Sequence, residues 1–348
     1  MKYLSIRLLA VSIALALVTL SASVSASSAF HDEQGQQKSN PQKPAEPAQK
    51  EQDQQGDVVK LTADLVTLDV TVVDAANKPV MNLTENMFQV FEDKVPQKIA
   101  FFSREEVPVS LVFAIDSSGS MRPKLDTVIK ASVNLVKESR QGDEIAVIEF
   151  RDQAEILEEF TTDINSVIDT LQGLVARGQT AMLDALYLAA EEAHKSGKNR
   201  RKAVIVVTDG VDKDSYYKFD EVVDHLREMD VQVYLIGFTQ DLEESGGLFR
   251  KSQKEKAEEL LRKLASETGG QAFFPKELSE VHTVAKQIST DLRTQYAIGY
   301  YPTNTKRDGT FRTVKVQVNG GGDRRLVART RNGYTAPKEG DQRPGPNK

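Results

Sequence analysis

Five side chains that carry only oxygen donors stand out by type and spacing. Asp116, Ser118 and Ser120 alternate in Asp116-Ser117-Ser118-Gly119-Ser120, directly after the apolar run Val109 to Ile115. Gly119 eases a tight turn there, so one carboxylate and two hydroxyls face a common point. Thr208-Asp209-Gly210 follows a second apolar run, Ala203 to Val207, and brings another carboxylate to the same rim. Thr180 follows Arg177-Gly178-Gln179 just before a helical segment, and its hydroxyl reaches that rim too. An all-oxygen donor set suits a hard cation such as Mg²⁺, which takes octahedral geometry at about 2.0–2.1 Å and keeps several waters. Mn²⁺ or Ca²⁺ would serve in its place. If one carboxylate acts through water, the ion stays electron-poor and accepts a carboxylate from a partner. Taken singly, Asp-Ser-Ser-Gly-Ser is also a good helix cap and Thr-Asp-Gly a common strand-to-turn signal. Their conjunction with Thr180 is what points to a metal.

The elements that must position these residues follow a strand-helix rhythm. The nearly continuous apolar run of 109–115 predicts a strand covered on both faces. Helices are expected at about 122–139, 163–174, 181–195, 217–229, 255–268 and 277–293, with strands at 144–150, 154–160, 203–208, 231–236 and 271–274. Only 150–160 reads as a hairpin. The pattern predicts an α/β fold with a doubly wound, mostly parallel sheet and one antiparallel edge strand, in which ligands bind at the carboxyl ends of the strands.

On either side lie two incomplete β units. Val66, Leu68, Val70 and Val72 alternate with polar residues, and 88–92 and 98–102 read as further strands separated by turns at Asn77-Lys78-Pro79 and Glu92-Asp93-Lys94. Near the other end, 296–301, 313–318 and 326–330 read the same way, the last two separated by Gly320-Gly321-Gly322. Neither unit closes a core alone, so a small β-sandwich assembled from both flanks is expected, with the α/β domain inserted in it. The expected divisions are a signal peptide at 1–26, a disordered linker at 27–57, β-rich flanks at 58–104 and 295–337, the α/β domain at 105–294 and a disordered tail at 338–348.

Asp-x-Ser-x-Ser at 116–120, Thr180 and Thr208-Asp209-Gly210 resemble the metal-ion-dependent adhesion site of von Willebrand factor A domains. The five positions occur in the expected order, each at the end of the expected element, and the resemblance covers about residues 107–294. It implies the integrin-type I domain fold, in which these residues ligate directly or through water while the partner completes the shell. It also implies that the helix at 277–293 could shift when that happens. The flanks, with Lys78-Pro79-Val80, Phe88, Glu92-Asp93, Gln97, Tyr300-Tyr301-Pro302 and Gly333-Tyr334, resemble the von Willebrand factor A-related proteins abundant in Acidobacteria.

Lys2 and Arg7, the apolar run Leu8 to Leu20 and the small residues through Ala26 follow the order of a secretory signal, with Val24-Ser25-Ala26 fitting the cleavage site. No apolar run after the first thirty residues is long enough to span a bilayer. The 348-residue chain has no cysteine, which excludes a lipoprotein anchor and disulfides and favours a bacterial envelope protein, periplasmic or secreted. Its net charge of −6 argues against nucleic acid as a partner. The oligomeric state is left open.

Enzyme frames are missing. Ser118 and Ser120 do not sit in a Gly-x-Ser-x-Gly elbow, phosphate-loop and dinucleotide glycine patterns do not occur, and His31, His194, His225 and His282 lack metal spacing. Asp184, Asp212 and Asp214 are expected to be solvated or capping. Lys195 to Lys202 reads as a solvated loop, Gly246-Gly247 as a mobile one, and the Asn82-Leu83-Thr84 sequon as a turn. The expected function is an exported metal-dependent binding protein that is not an enzyme, whose ion captures an acidic group of a protein or a glycan. The competing reading is an envelope scaffold in which the metal only stabilises the fold.

Overall fold

The computed structural model describes residues 64–104, 106–243, 251–320 and 325–340. The expected signal segment, the linker, the Gly246-Gly247 loop and residues 341–348 lie outside these.

The first half of the sandwich comes from β1 (Val66–Val73), β2 (Phe88–Glu92), β3 (Val95–Gln97) and β4 (Ile99–Ser103). The chain then enters the central sheet with β5 (Val109–Asp116), every residue of which is buried. There follow α1 (Leu125–Lys137), β6 (Glu144–Phe150), β7 (Ala154–Thr161), α2 (Ile164–Gln172), α3 (Met182–Ser196) and β8 (Arg201–Thr208). After these come α4 (Phe219–Glu228), β9 (Gln232–Gly237), α5 (Gln253–Glu267), β10 (Ala272–Phe273) and α6 (Val281–Arg293). The chain returns to the sandwich with β11 (Tyr296–Tyr300), β12 (Phe311–Val318), β13 (Val327–Arg329) and β14 (Gly333–Thr335).

The six central strands lie in the order β10-β9-β8-β5-β6-β7. The first five run parallel and β7 returns antiparallel beside β6. Strand alternation sorts the core. Val109, Leu111, Phe113 and Ile115 of β5 point to α1, α2 and α6, whereas Val112 and Ala114 point to α3, α4 and α5. Burying a side chain the size of Phe113 contributes about 2–3 kcal/mol. On α3 the inward positions Ala185, Ala189, Ala190 and Ala193 are small, so this helix lies close against the sheet.

Both chain flanks contribute to each layer of the sandwich, one sheet being β13-β1-β11-β4 and the other β14-β12-β2-β3. Leu68, Val70 and Val72 of β1 meet Phe88 and Val90 of β2, Tyr296 and Ile298 of β11, and Val314 and Val316 of β12 in one apolar cluster. Within it Glu92 is buried, and the hydroxyls of Tyr300 and Tyr334 both donate to its carboxylate at 2.8 Å. The sandwich is therefore built from both ends, as the alternation predicted. Lys338, at the start of the expected tail, still bridges to Asp308.

The basic run departs from its expectation as a solvated loop. Arg201 begins β8 and is almost completely buried. Its guanidinium donates to the Leu292 carbonyl at 2.7 Å and lies 3.5 Å from the Asp69 carboxylate, which Arg200 also holds at 3.2 Å. Lys202 donates to the His194 carbonyl. Arg200 and Arg201 bind the bottom of the central sheet to β1 and α6, where Arg329 also pairs with Asp291 at 2.7 Å, while Lys202 ties it to the end of α3. The joint is thus largely polar, although each core beside it is apolar.

Candidate metal centre

The chain leaves β5 toward β6 on one side, while β8 lies on the other and leads away to β9, so the order of strands reverses between β5 and β8. Loops diverge there and leave a crevice at the carboxyl ends. Asp116 is the last residue of β5, and Asp209 follows the last residue of β8. The two carboxylates therefore flank this crevice. Asp116 is fully buried, Asp209 nearly so.

Asp116 accepts hydrogen bonds from the Ser118 amide at 2.9 Å and the Thr208 hydroxyl at 2.7 Å, one on each oxygen. Burial pushes its carboxyl up to about 6, against the opposing effect of these hydrogen bonds and with a further push from the Asp209 charge. Ser118 is extended, and the turn Gly119–Met121 that follows brings the Ser118 and Ser120 hydroxyls to 3.1 Å from one another. Asp209 accepts only the Val211 amide, at 3.2 Å, among the described residues. The Thr208 hydroxyl also accepts from the Gly210 amide at 3.1 Å, and Gly210 has a φ of +84°, which suits glycine.

Thr180 is brought in from a third loop. The Arg177 amide donates to the Ser117 carbonyl at 2.7 Å, and the Gly119 amide to the Gly178 carbonyl at 3.1 Å. Gly178 has a φ of +76°, and a Cβ there would meet the Asp152 carboxylate at 2.4 Å. Asp152 accepts from the Gln179 amide at 2.8 Å, and the Arg151 carbonyl from the Ala181 amide at 2.7 Å, so the hairpin between β6 and β7 fixes this loop. The Thr180 carbonyl in turn accepts the Lys213 and Asp214 amides at 3.0 and 3.1 Å. All five residues singled out in the sequence thus stand on three loops joined by backbone hydrogen bonds.

The neighbouring aspartates do other work. Asp212 accepts the Met182 and Leu183 amides at 2.9 and 3.3 Å, capping α3, and its carboxyl is raised by burial. Asp184 accepts the Tyr216 and Tyr217 amides, and Asp214 is exposed. At the start of the loop after β5, the Ser117 hydroxyl donates to Glu149 at 2.6 Å, and Glu149 pairs with Arg151. Thr208, Glu149 and Asp152 position the site; the sequence named Thr208 only as part of Thr208-Asp209-Gly210 and did not single out the other two. Thr208 had a visible signal in its place before Asp209. Glu149 and Asp152 act across the fold and had none.

The donor chemistry fits a dication. Asp116 is a carboxylate held out of water that makes no ion pair with a side chain among the described residues, an arrangement that burial alone disfavours. The Ser118 and Ser120 hydroxyls lie two and four residues along the same loop, and Thr180 and Asp209 stand on the two loops tied to it. No group of three or more His, Cys, Asp or Glu side chains placed to hold a metal occurs among the described residues, so an ion here would depend on hydroxyls to complete its shell.

The family model for the von Willebrand factor type A domain matches residues 110–287. An uncharacterized protein of Synechocystis sp., sll0103, is 32% identical over 107 residues, which are 30% of this chain and 26% of the other. The chain therefore spans about a quarter of the length of that curated relative. Among solved structures, a von Willebrand factor type A protein from Catenulispora acidiphila aligns over 78% of this chain and 74% of its own at 13% identity, with a TM-score of 0.45. An aerotolerance-related membrane protein from Bacteroides fragilis aligns over 53% and 98% at 21% identity, with a TM-score of 0.41.

Proposed function

Because the chain belongs to the von Willebrand factor type A domain family, we propose that it is a metal-dependent binding protein rather than an enzyme. Asp116, Ser118, Ser120, Thr180 and Asp209 would hold one Mg²⁺, with Mn²⁺ or Ca²⁺ as substitutes, and the open coordination position would take an acidic group of a protein partner. What supports this reading is that the three loops bearing these residues are joined by backbone hydrogen bonds at the strand-order reversal, with both carboxylates buried. When bound, the ion supplies a Lewis-acidic position. The chain's own groups hold the carboxylates in place: the Ser118 amide and the Thr208 hydroxyl donate to Asp116, and the Val211 amide to Asp209.

The site's donor set of carboxylates and hydroxyls, without a histidine, favours binding over catalysis. Among the described residues, His225 stacks on Tyr187 at 3.6 Å and His282 contacts Asn134, and neither bonds to a site residue. Export is supported by the charged, apolar and small segments at the N-terminus and by the lack of cysteine. No helix among the described residues is long and apolar enough to cross a membrane.

Calorimetric titration of MgCl₂ into the full chain tests the site. Saturable one-site heat is expected for the wild type, and its loss in Asp209→Ala and in Ser118→Ala/Ser120→Ala, each with an unchanged circular dichroism spectrum. Heat that survives in the variants, or none in the wild type, would overturn the metal reading and leave the scaffold.

A further inference from the structure

The two most exposed large apolar side chains among the described residues are Tyr216, at 84%, and Val175, at 64%. Both stand on the loops of the metal centre. Val175 lies two residues before Arg177, whose amide is tied to the Ser117 carbonyl. Tyr216 lies two residues after Asp214, whose amide is tied to the Thr180 carbonyl, and its own amide is held by Asp184 at 3.0 Å. Two residues of chain span at most about 7 Å, so each is anchored on a loop close to the crevice. Tyr216 rests edge-on against Tyr217 at 5.4 Å, and Tyr217 stacks on Tyr187 at 4.0 Å, so the exposed ring has a firm backing.

The charges on the same loops are unlike the rest of the molecule. Arg122, Arg177 and Lys213 are exposed, and among the described residues none of them makes an ion pair, although the chain as a whole carries −6. Arg122 reaches only the Ala176 carbonyl, at 3.4 Å. Asp214 and Asp152 are the exposed acids beside them, and Asp152 accepts from the Gln179 amide. Isolated exposed apolar side chains are ordinary. Here an aromatic and an aliphatic foot stand on loops of one site beside three exposed cations that make no ion pair among the described residues, and such a surface is complementary to acid set among apolar groups.

We propose that this rim is a docking surface for an acidic protein segment in which apolar side chains flank the metal-seeking carboxylate and rest on Tyr216 and Val175. The proposal rests on the metal reading above and names the partner chemistry of that site. A peptide suits the rim better than a glycan. A sugar ring would stack on Tyr216, but the aliphatic Val175 offers it no comparable face, whereas both feet take Leu, Phe or Tyr side chains. Tyrosine is also among the residues that carry most of the energy in protein interfaces.

The probe is an array of nonapeptides with Glu, Gln or Lys at the centre and all residues at the flanks, read in Mg²⁺ and in EDTA, with polygalacturonate in parallel. Retention in Mg²⁺ is expected on Glu-centred peptides with Leu, Phe or Tyr beside the centre and acidic residues farther out. Tyr216→Ala/Val175→Ser should weaken that retention at least tenfold while binding Mg²⁺ as the wild type does. Arg122→Glu/Arg177→Glu should remove the preference for acidic flanks. Mg²⁺ heat with equal retention on Glu- and Lys-centred peptides, retention untouched by the Tyr216 and Val175 changes, or capture of polygalacturonate instead, would overturn this inference alone. A wild type without Mg²⁺ heat would overturn it together with the metal reading.

Discussion

Asp116 is an anion set where water does not reach, and its two hydrogen bonds from Ser118 and Thr208 only partly offset the cost. Such a group trades stability for binding. Asp116→Asn keeps the shape and removes the charge, so in EDTA it should unfold at a higher temperature than the wild type, by about 1–2 kcal/mol of stability. In Mg²⁺ the order should reverse, because only the wild type gains from the ion. Scanning calorimetry in both buffers checks this, and a variant that still responds to Mg²⁺ would count against Asp116 as a ligand. His225 gives a second prediction. Burial beneath Tyr187 lowers its pKa below the ordinary 6.5. A histidine depressed in the folded state binds its proton more readily when unfolded, so stability is full above about 6.5 and is lost as pH falls below it. The melting temperature should therefore fall from pH 7 to pH 5, and less in His225→Phe, which keeps the stack but cannot titrate.

At the scale of elements, the turn between β2 and β3 departs from ordinary chemistry. Asp93 and Lys94 both have positive φ, 45° and 70°, in a two-residue hairpin that normally recruits glycine. Asp93 is compensated, since its side chain accepts from the Thr313 amide and hydroxyl at 2.9 Å. Lys94 has no such tie among the described residues. Lys94→Gly should stabilise the protein by about 1 kcal/mol, read as a higher urea midpoint with an unchanged slope. The central strands and helices were legible along the chain because their periodicity is local. The 109–115 run marked β5, and the alternation of Val66 to Val72 marked β1. The short strands β3 and β14, three residues each, were not legible, because so short a segment becomes a strand only through its partner. The 277–280 portion of the expected last helix likewise forms a separate turn at Leu278–Glu280 before α6.

At the scale of the whole molecule, the polar joint decides how the two cores are held together. Arg201 is buried between β8, Asp69 of β1 and the Leu292 carbonyl at the end of α6, and α6 runs through Thr294 and Gln295 straight into β11. Replacing it with an apolar residue leaves that carbonyl, and part of Asp69, without a donor. Arg201→Leu should cost about 3 kcal/mol in urea unfolding, with Mg²⁺ heat unchanged because the joint lies at the end of the sheet opposite the crevice. Loss of Mg²⁺ heat in this variant would show instead that the two ends communicate through the sheet and α6.

Sequence alone determined what depends on neighbours along the chain. The motifs at 116–120 and 208–210, the buried character of β5, the alternation in both flanks and so the two-ended sandwich could all be read there, since a strand's faces follow from a period of two residues. Tertiary structure decided what depends on residues far apart in the chain. Placing β8 beside β5 brought Asp209 to Asp116, and the carboxylate of Asp152 left room at residue 178 only for glycine. The same packing turned Arg201 from an apparent surface cation into a buried tie, and set Val175 and Tyr216 on the loops of one crevice. No local pattern encodes such pairings, because each becomes favourable only once the chain between the partners has folded and its ordering entropy has been offset elsewhere.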